Sequence, residues 1–378
     1  MKKFLGILVL GLWFVAMVIK KITINFVLFL LLFAIFDLIF SNFIYKETFR
    51  YACYKYDIDF YSLQPNCVAV EKHEPTNKNF KVYTDENGHR FLGQKKASDK
   101  KKTIIFLGDS QTYGLGLEYK DTFVGKFEKN PNDYKILNFG VPSYSPTVYN
   151  YQLKIIKKKI KNVKKIILVL DISDLLQESF RWRYNTENNK PSLLIDIPKK
   201  KEKKISGWQR FRRENFKGYR LITFHIREFL RSIKNHSESK KDEIKKTHWG
   251  EFTYTDSKNL QKKYWQLLKF DKTLKKMTKN LYEISTVSAN MNSELYIVIF
   301  PWVETLQYGQ NSFNWENYMI KTCNDIKCTK LINLFPKFRE LKNSYPNWRR
   351  ELYLVDDTHL TEKGHEILYS TISKAISF

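Results

Sequence analysis

Two short polar segments of this sequence carry residues that could together form a nucleophilic site. The first is Gly108-Asp109-Ser110-Gln111, which directly follows the apolar run 103–107. A serine at a strand-to-helix turn presents its hydroxyl above the carboxyl end of the strand, and free N–H groups at the helix start can stabilise an oxyanion. An ordinary Asp or Ser helix cap has the same appearance, so this segment alone identifies no activity.

The second segment is Asp356-Asp357-Thr358-His359, shortly before the last predicted helix. A nucleophilic serine needs a general base within hydrogen-bond reach, and the base needs an acceptor that orients it. An aspartate and a histidine on one loop could supply both groups. A lone loop histidine is usually a solvated side chain, but the chain has only seven histidines and this one stands beside an acid.

Short apolar runs alternate with helical patterns around both segments. Buried strands are predicted at 103–107, 134–139, 165–170, 295–300 and 330–333, and amphipathic helices at 147–161 and 361–376, the latter capped by Thr361. This alternation is typical of an α/β domain with a parallel sheet, in which ligands bind at the carboxyl ends of the strands. The Gly-x-Ser-x-Gly turn of α/β-hydrolases is absent, which argues against that fold.

The pairing of GDSQTYG early with DDTHLTEKGH late resembles blocks I and V of the SGNH/GDSL hydrolase superfamily. Asn138-Phe139-Gly140-Val141-Pro142, after the second strand, resembles block II, and the order and strand context agree over residues 103–376. Residues 82–91 (VYTDENGHRF) are similar to the lead-in of extracytoplasmic members that carry an N-terminal anchor. The resemblance implies a flavodoxin-like three-layer α/β fold with a parallel sheet.

The resemblance also implies a Ser-His-Asp triad made of Ser110, His359 and Asp356. Asp357 could replace Asp356 as the orienting acid, but the family spacing favours Asp356. In this mechanism His359 takes the Ser110 proton, Ser110 attacks an ester carbonyl, and the acyl group passes to water or to a sugar hydroxyl.

The oxyanion hole implied by the resemblance consists of the backbone N–H groups of Ser110 and Gly140 and a third donor from block III. That block is usually Gly-x-Asn-Asp, whereas this sequence has Asp171-Ile172-Ser173-Asp174, with Ser173 at the Asn position. Loss of one oxyanion donor can cost about 10²–10³ in rate, so either the Ser173 hydroxyl or another donor compensates, or activity is altered.

Three further residues are predicted to line the pocket: Gln111, Asp171 and Asp174. The DISD variant of block III is similar to sequences of bacterial SGNH-like proteins associated with cell-surface polysaccharide. We therefore interpret the variant as a subfamily feature and not as decay of the site.

The N-terminus contains two apolar runs, 4–19 and 22–40, separated by Lys20 and Lys21. A bilayer core needs about 20 apolar helical residues, so we predict a membrane anchor over residues 1–45 with one or two transmembrane helices. In one topology residues 22–44 are a signal anchor and the first run is interfacial or a second, weaker span; the catalytic domain then lies outside, and the lysines at 2, 3, 20 and 21 lie in the cytoplasm. In the other topology the two runs form a hairpin, which returns the domain to the cytoplasm. No small-residue cleavage site follows either run.

The four cysteines form two local pairs, Cys53 with Cys67 and Cys323 with Cys328. An even count in local pairs is typical of disulfides in an oxidising compartment, and it favours an extracytoplasmic, periplasmic domain on the cytoplasmic membrane. A zinc site is an alternative, although the spacings are not of the CxxC type, and four unpaired thiols are another.

The chain carries 65 Lys+Arg against 39 Asp+Glu, a formal net charge of +26, which favours anionic partners. Much of the excess is lysine spread over short runs, which indicates a compositional bias. No zinc-finger, RRM-type or bZIP pattern is present, so a nucleic-acid partner is not predicted. The sequence gives no sign of a metal or organic cofactor.

We expect three regions: the anchor, a connecting segment over 46–100, and an α/β domain over 101–378 with a basic, mostly helical insertion at about 175–293. The predicted function is a membrane-anchored serine esterase or O-acyltransferase acting on acyl (acetyl) esters of cell-envelope glycan or lipid, with a membrane acyl donor as a candidate partner. The alternatives are an inactive scaffold that binds envelope polysaccharide or partner proteins, and a basic membrane-tethered binder of nucleic acid or lipid headgroups.

Overall fold

The computed structural model describes residues 2–41, 52–57, 60–93, 102–130, 133–194 and 270–376, together with residues 216 and 222. The first element is helix α1 (Lys2–Ile39), which runs without a turn through Lys20 and Lys21, so the alternative of a hairpin of two helices is not formed. Its segment Met17–Ile39, with a mean hydropathy of 2.6, is long and apolar enough to cross a membrane. Helix α1 and the α/β domain belong to separate compact units.

The described residues between 52 and 93 form two antiparallel strand pairs, although the sequence suggested only a connecting segment. Strand β1 (Tyr54–Tyr56) pairs with β2 (Tyr61–Leu63), and β3 (Val68–His73) pairs with β4 (Lys78–Tyr83). A disulfide between Cys53 and Cys67 joins the two strand pairs. Together these residues are called the lead-in below, and they belong to the same compact unit as the α/β domain.

The centre of the domain is a five-stranded parallel sheet. In spatial order its strands are β11 (Lys330–Asn333), β10 (Glu294–Ile299), β7 (Val163–Leu170), β5 (Lys102–Leu107) and β6 (Tyr134–Asn138). This is the flavodoxin-like order, whose switch point lies between β5 and β7. The predicted three-layer fold and all five predicted strands are confirmed.

The strands are mostly apolar apart from charged residues near their starts, because both faces of the sheet are covered. In β5, Ile105 and Leu107 pack into one core with the lead-in, whereas Ile104 and Phe106 pack into the other. The helices are α2 (Ser110–Tyr113), α3 (Phe123–Lys129), α4 (Pro146–Lys159), α5 (Ile172–Phe180), α6 (Phe270–Asn290), α7 (Val303–Tyr308), α8 (Trp315–Asp325), α9 (Phe335–Ser344), α10 (Trp348–Leu352) and α11 (Glu362–Ala375).

The predicted insertion is only partly covered by the described residues. Its start forms a hairpin of β8 (Trp182–Asn185) and β9 (Lys190–Leu193). Its end, helix α6, buries Met277, Leu281 and Ile284 in the core shared with α4 and α5, so this helix belongs to an outer layer of the α/β sandwich and not to an insertion. The basic run at 199–204 lies outside the described residues.

Candidate active site

Ser110 is the first residue of helix α2, directly above the carboxyl end of β5. The Asp109 carboxylate caps the helix by accepting a hydrogen bond from the Gln111 N–H at 2.9 Å. A Cβ atom at Gly108 would overlap the Thr112 side chain and approach the Val169 carbonyl oxygen, so glycine permits the close approach of the turn to the sheet. Ser110 remains partly accessible, while its neighbours on both sides are buried.

The second polar segment folds as a tight loop that brings His359 to Ser110. The Leu354 N–H donates to the His359 carbonyl at 2.8 Å, and a β-bridge between Tyr353 and Leu360 closes the loop. His359 Nε2 lies 2.8 Å from Ser110 Oγ. The predicted nucleophile and base are therefore in direct contact, at the distance that proton transfer requires.

The acid that contacts His359 is Asp357, and the expectation of Asp356 in this role is corrected. Asp357 Oδ1 lies 2.9 Å from His359 Nδ1 and also accepts the Thr358 N–H at 2.6 Å. Asp356 is exposed and has a left-handed backbone with φ of 55°. It forms the turn, a conformation that Asp tolerates, and the following residue faces the imidazole.

The charges of this pair favour a working base. Burial acts to raise the pKa of Asp357, but the charge and hydrogen bonds of His359, together with those of His73, lower it well below its usual range. Burial acts to lower the pKa of His359, but the Asp357 charge and hydrogen bond outweigh it and leave that pKa raised. An ionised Asp357 is an acceptor only, so His359 Nδ1 carries the proton and Nε2 is free to accept one from Ser110.

Gln111 was predicted to line the pocket, but it is buried and holds the two polar segments together. Its Nε2 donates to the Thr358 carbonyl at 3.1 Å, and its Oε1 accepts the Leu360 N–H at 3.3 Å. These two bonds flank His359 on both sides. Gln111 therefore fixes the histidine loop against the nucleophile turn.

The variant block III is a capping box for helix α5. The Asp171 carboxylate accepts the Ser173 N–H at 2.7 Å, and the Asp174 carboxylate accepts the Asp171 N–H at 2.8 Å. The Ser173 hydroxyl donates to Asp171 Oδ1 at 2.6 Å. Asp171 and Asp174 are thus buried helix caps and not pocket-lining groups, and the single Ser173 proton is already engaged.

Of the predicted backbone oxyanion donors, only one is available in this geometry. The Gly140 N–H donates to the Asn138 side chain at 2.8 Å. A Cβ atom at Gly140 would overlap the backbone of Thr112 and Tyr113, so close packing on α2 explains this glycine. The Ser110 N–H has no acceptor within the described part of the chain, and an oxyanion would recruit Gly140 only if the Asn138 side chain moved.

Close to Ser110 lies a cluster of buried acids, here called the acid cluster: Asp109, Asp171 and Asp174. Asp109 Oδ2 lies 3.3 Å from both the Ser110 and the Ser173 hydroxyl oxygens. Burial, and then the Asp171 charge, raise the pKa of Asp109 to about 7. Burial also raises the pKa values of Asp171 and Asp174, so the cluster favours protonated carboxyls.

Within the described residues, His73, Asp357 and His359 are the one group of three side chains whose ligand atoms lie close enough, within 4.8 Å, to hold a metal ion. Direct contacts of 2.5 Å and 2.9 Å already join the two imidazoles to the carboxylate. We therefore assign these atoms to a hydrogen-bond network and not to a metal site.

The lead-in reaches the active site, and no local pattern in its strands predicts this contact. The buried Arg90 guanidinium donates to the carbonyl oxygens of Tyr113, Gly114 and Leu117 at 2.6–2.8 Å, where helix α2 ends. His73 Nε2 lies 2.5 Å from Asp357 Oδ2. Strand β3 is short and lacks a clear alternation, so only the resemblance of residues 82–91 to family lead-ins pointed to this region.

No protein-family model matches this sequence, and no curated protein matches it. Among solved structures, the chain is similar to TesA, with 10% identity and a TM-score of 0.40 over 73% of this chain and 98% of that one. It is likewise similar to a lipolytic G-D-S-L family protein from Veillonella parvula, with 10% identity and a TM-score of 0.40 over 73% and 98%.

The acetylxylan esterase Axe2 from Geobacillus stearothermophilus, as a catalytic mutant, matches with 10% identity and a TM-score of 0.40, over 75% of this chain and 97% of that chain. Similarity at this level of sequence identity and TM-score concerns the fold and not the reaction. What supports a function is therefore the geometry around Ser110.

Proposed function

We propose that this protein is a serine esterase or O-acyltransferase that acts through Ser110, His359 and Asp357. The observation that carries the proposal is the continuous contact from Ser110 Oγ to His359 Nε2 at 2.8 Å and from His359 Nδ1 to Asp357 Oδ1 at 2.9 Å. These are the distances and the connectivity that activate a serine hydroxyl, whatever fold presents them.

The reaction follows from this geometry. His359 Nε2 takes the Ser110 proton while Oγ attacks the ester carbonyl, and the Ser110 N–H stabilises the resulting oxyanion. His359 then donates this proton to the departing alcohol, and an acyl-Ser110 ester remains. Water or a sugar hydroxyl, deprotonated by His359, attacks this ester and restores the free serine.

The substrate class and location are part of the same proposal. We infer that the protein is anchored in the cytoplasmic membrane by α1, with its catalytic domain on the periplasmic side, and that it acts on acyl, above all acetyl, esters of envelope glycan or lipid. The apolar segment Met17–Ile39 and the Cys53–Cys67 and Cys323–Cys328 disulfides support this placement. The net charge of +26 favours an anionic substrate surface.

The test is hydrolysis of 4-nitrophenyl acetate by the full-length protein in detergent, beside Ser110→Ala and the matched control Ser62→Ala. Ser62 is a partly exposed serine of β2 outside the site. We expect Ser110→Ala to lose at least about 10³-fold in kcat and Ser62→Ala to keep wild-type activity. Adding an acetylated donor with an unacetylated glycan distinguishes transfer from hydrolysis by the product formed.

A second candidate, an inactive scaffold that binds envelope glycan, is favoured by one observation. Gly140 and Ser173, two of the three predicted oxyanion donors, are engaged in other hydrogen bonds. Reaction with a fluorophosphonate separates the two functions, because this probe reports an activated serine without needing the natural substrate. Absence of labelling at Ser110, with glycan binding retained, would establish the scaffold.

A further inference from the structure

The lead-in strand β3 presents two buried side chains to the two halves of the active site. Residues 71 and 73 lie on the same face of the strand, because side chains alternate with period two. Glu71 Oε2 accepts the Tyr113 hydroxyl at 3.1 Å, at the end of the helix that carries Ser110. His73 Nε2 lies 2.5 Å from Asp357 Oδ2. One face of one strand thus contacts both the nucleophile helix and the histidine loop.

The surroundings of His73 hold its imidazole in contact with Asp357. The imidazole is only 3% exposed, and both of its nitrogens are engaged, since Nδ1 lies 2.8 Å from the Thr76 hydroxyl. Gly116 has a φ of +86°, and a Cβ there would press on both the His73 ring and Leu354. Glycine at this position therefore leaves the space in which β3 approaches the loop.

The chemistry of the two partners fixes the direction of the hydrogen bond. An ionised Asp357 only accepts, so His73 Nε2 is the donor, and the Thr76 hydroxyl holds the other ring nitrogen. Asp357 then has one imidazole on each carboxylate oxygen, His359 on Oδ1 and His73 on Oδ2. A carboxylate held at both oxygens cannot rotate about its Cβ–Cγ bond, so Oδ1 stays aligned with His359.

We propose that His73 is a positioning residue of the catalytic site, which donates a hydrogen bond to Asp357 and so fixes the orientation of the Asp357-His359 pair. This inference rests on the proposed function of Ser110. It also assigns the lead-in a role in catalysis, because the fourth member of the hydrogen-bonded chain is supplied from outside the central sheet and its helices.

The test compares His73→Ala, His73→Gln and a matched control, His89→Gln, in the full-length protein. A glutamine at residue 73 keeps an N–H donor close to the position of Nε2. His89 is another lead-in histidine paired with an aspartate, Asp85 at 3.1 Å, and it does not touch the triad. Each variant is assayed for kcat and KM, for the rate of fluorophosphonate labelling, and for its Tm.

We expect His73→Ala to lower kcat and the labelling rate by roughly tenfold to a hundredfold with little change in KM, as for a misaligned catalytic group. His73→Gln should recover most of that loss, and His89→Gln should resemble the wild type. Wild-type kcat in His73→Ala, or a glutamine variant as impaired as the alanine variant at an unchanged Tm, would overturn the proposal.

Two further measurements keep the proposal testable if the first fails. Should His73→Ala not fold, Thr76→Val removes the hydroxyl on Nδ1 and should lower kcat by a few fold, and unchanged kcat would count against the proposal. Should the wild type neither hydrolyse esters nor react with fluorophosphonate, the proposed function is wrong. The His73–Asp357 bond is then examined by ¹⁵N-histidine NMR, where a His73 ring without an Nε2 proton would refute it.

Discussion

The acidic side chains near Ser110 fall into two groups, Asp357 and the acid cluster, whose pKa values shift in opposite directions. Asp357 contacts two imidazoles, and its pKa is lowered despite burial. In the acid cluster, burial raises the pKa values of Asp109, Asp171 and Asp174. The same residue type therefore orients a base in one group and caps helices in the other, because its environment decides its role.

The sharpest test of this comparison replaces each of the two neighbouring acids of the histidine loop, one at a time, by asparagine. Asp357→Asn should lower kcat by about 10³–10⁴-fold, because the amide favours the wrong imidazole tautomer. Asp356→Asn, at an exposed turn position, should change kcat by less than about threefold, since Asn also tolerates the left-handed backbone. The measurement is kcat on an acetyl ester, and a larger loss in the Asp356 variant would return the role to that residue.

The acid cluster predicts a pH dependence of stability. The pKa of Asp109 is raised from 3.8 to about 7, so at intermediate pH the folded state holds a proton that the unfolded state has released. The free energy of unfolding should therefore fall as the pH rises from about 4 to about 7, by up to about 1.4 kcal/mol for each pH unit. Thermal unfolding of the full-length protein in detergent, followed by tryptophan fluorescence, measures this trend.

Asp109→Asn supplies the control for that trend, because its amide oxygen can still cap α2 without a charge. This variant should flatten the pH dependence and have the higher Tm above about pH 7. His359 contributes with the same sign, since a raised pKa gives stability that is present below 6.5 and lost as the pH rises through the folded value. A Tm that increases with pH in the wild type would contradict the assignment.

The Asp357-His359 pair predicts how activity depends on pH. His359 must be unprotonated to accept the Ser110 proton, and its pKa is raised above 6.5 chiefly by Asp357. On the acidic side of the pH profile, the midpoint of kcat/KM should therefore lie above about pH 6.5, and kcat/KM should fall about tenfold for each pH unit below that midpoint. In Asp357→Asn, the acidic midpoint of the remaining activity should move to lower pH. An unchanged midpoint would show that a group other than His359 controls the pH profile.

The smallest expected effect is at block III. Because the Ser173 hydroxyl donates to Asp171, Ser173→Ala should lower kcat by less than about threefold. A donor to the oxyanion would instead cost about 10²–10³-fold. Steady-state kinetics of Ser173→Ala beside Ser173→Thr, which keeps a hydroxyl, decide between these outcomes. A loss of a hundredfold in the alanine variant would mean that the hydroxyl turns toward the oxyanion during catalysis.

Much of the fold was predictable, because apolar runs and caps are local signals. The five strands follow from short runs rich in Ile, Leu and Val, and Thr361 caps α11 as expected by accepting the Gly364 N–H at 3.2 Å. The contact between Ser110 and His359 was implied by the resemblance of their two segments to blocks I and V. In each case the residues that decide the structure are adjacent in sequence or lie at a common sheet edge.

The errors have equally physical causes. The choice between Asp356 and Asp357 depends on the backbone conformation of a single residue, which spacing does not reveal. Asp171 and Asp174 have the spacing of a capping box, but the usual residues there are Ser or Thr and then Glu or Gln, so the pair did not indicate one. The role of β3 depends on a contact between residues 284 positions apart, for which the strand itself carries no signal.

These separations also govern when the site can exist. The bond between Ser110 and His359 spans 249 positions, and the bond between His73 and Asp357 spans 284. Contacts between such distant residues form slowly, because a long loop must close before they stabilise the chain. A growing chain that has not yet reached residue 359 holds the nucleophile without its base. The contact between nucleophile and base, on which the proposed function depends, therefore cannot form early in synthesis and is completed only when the last part of the domain has folded.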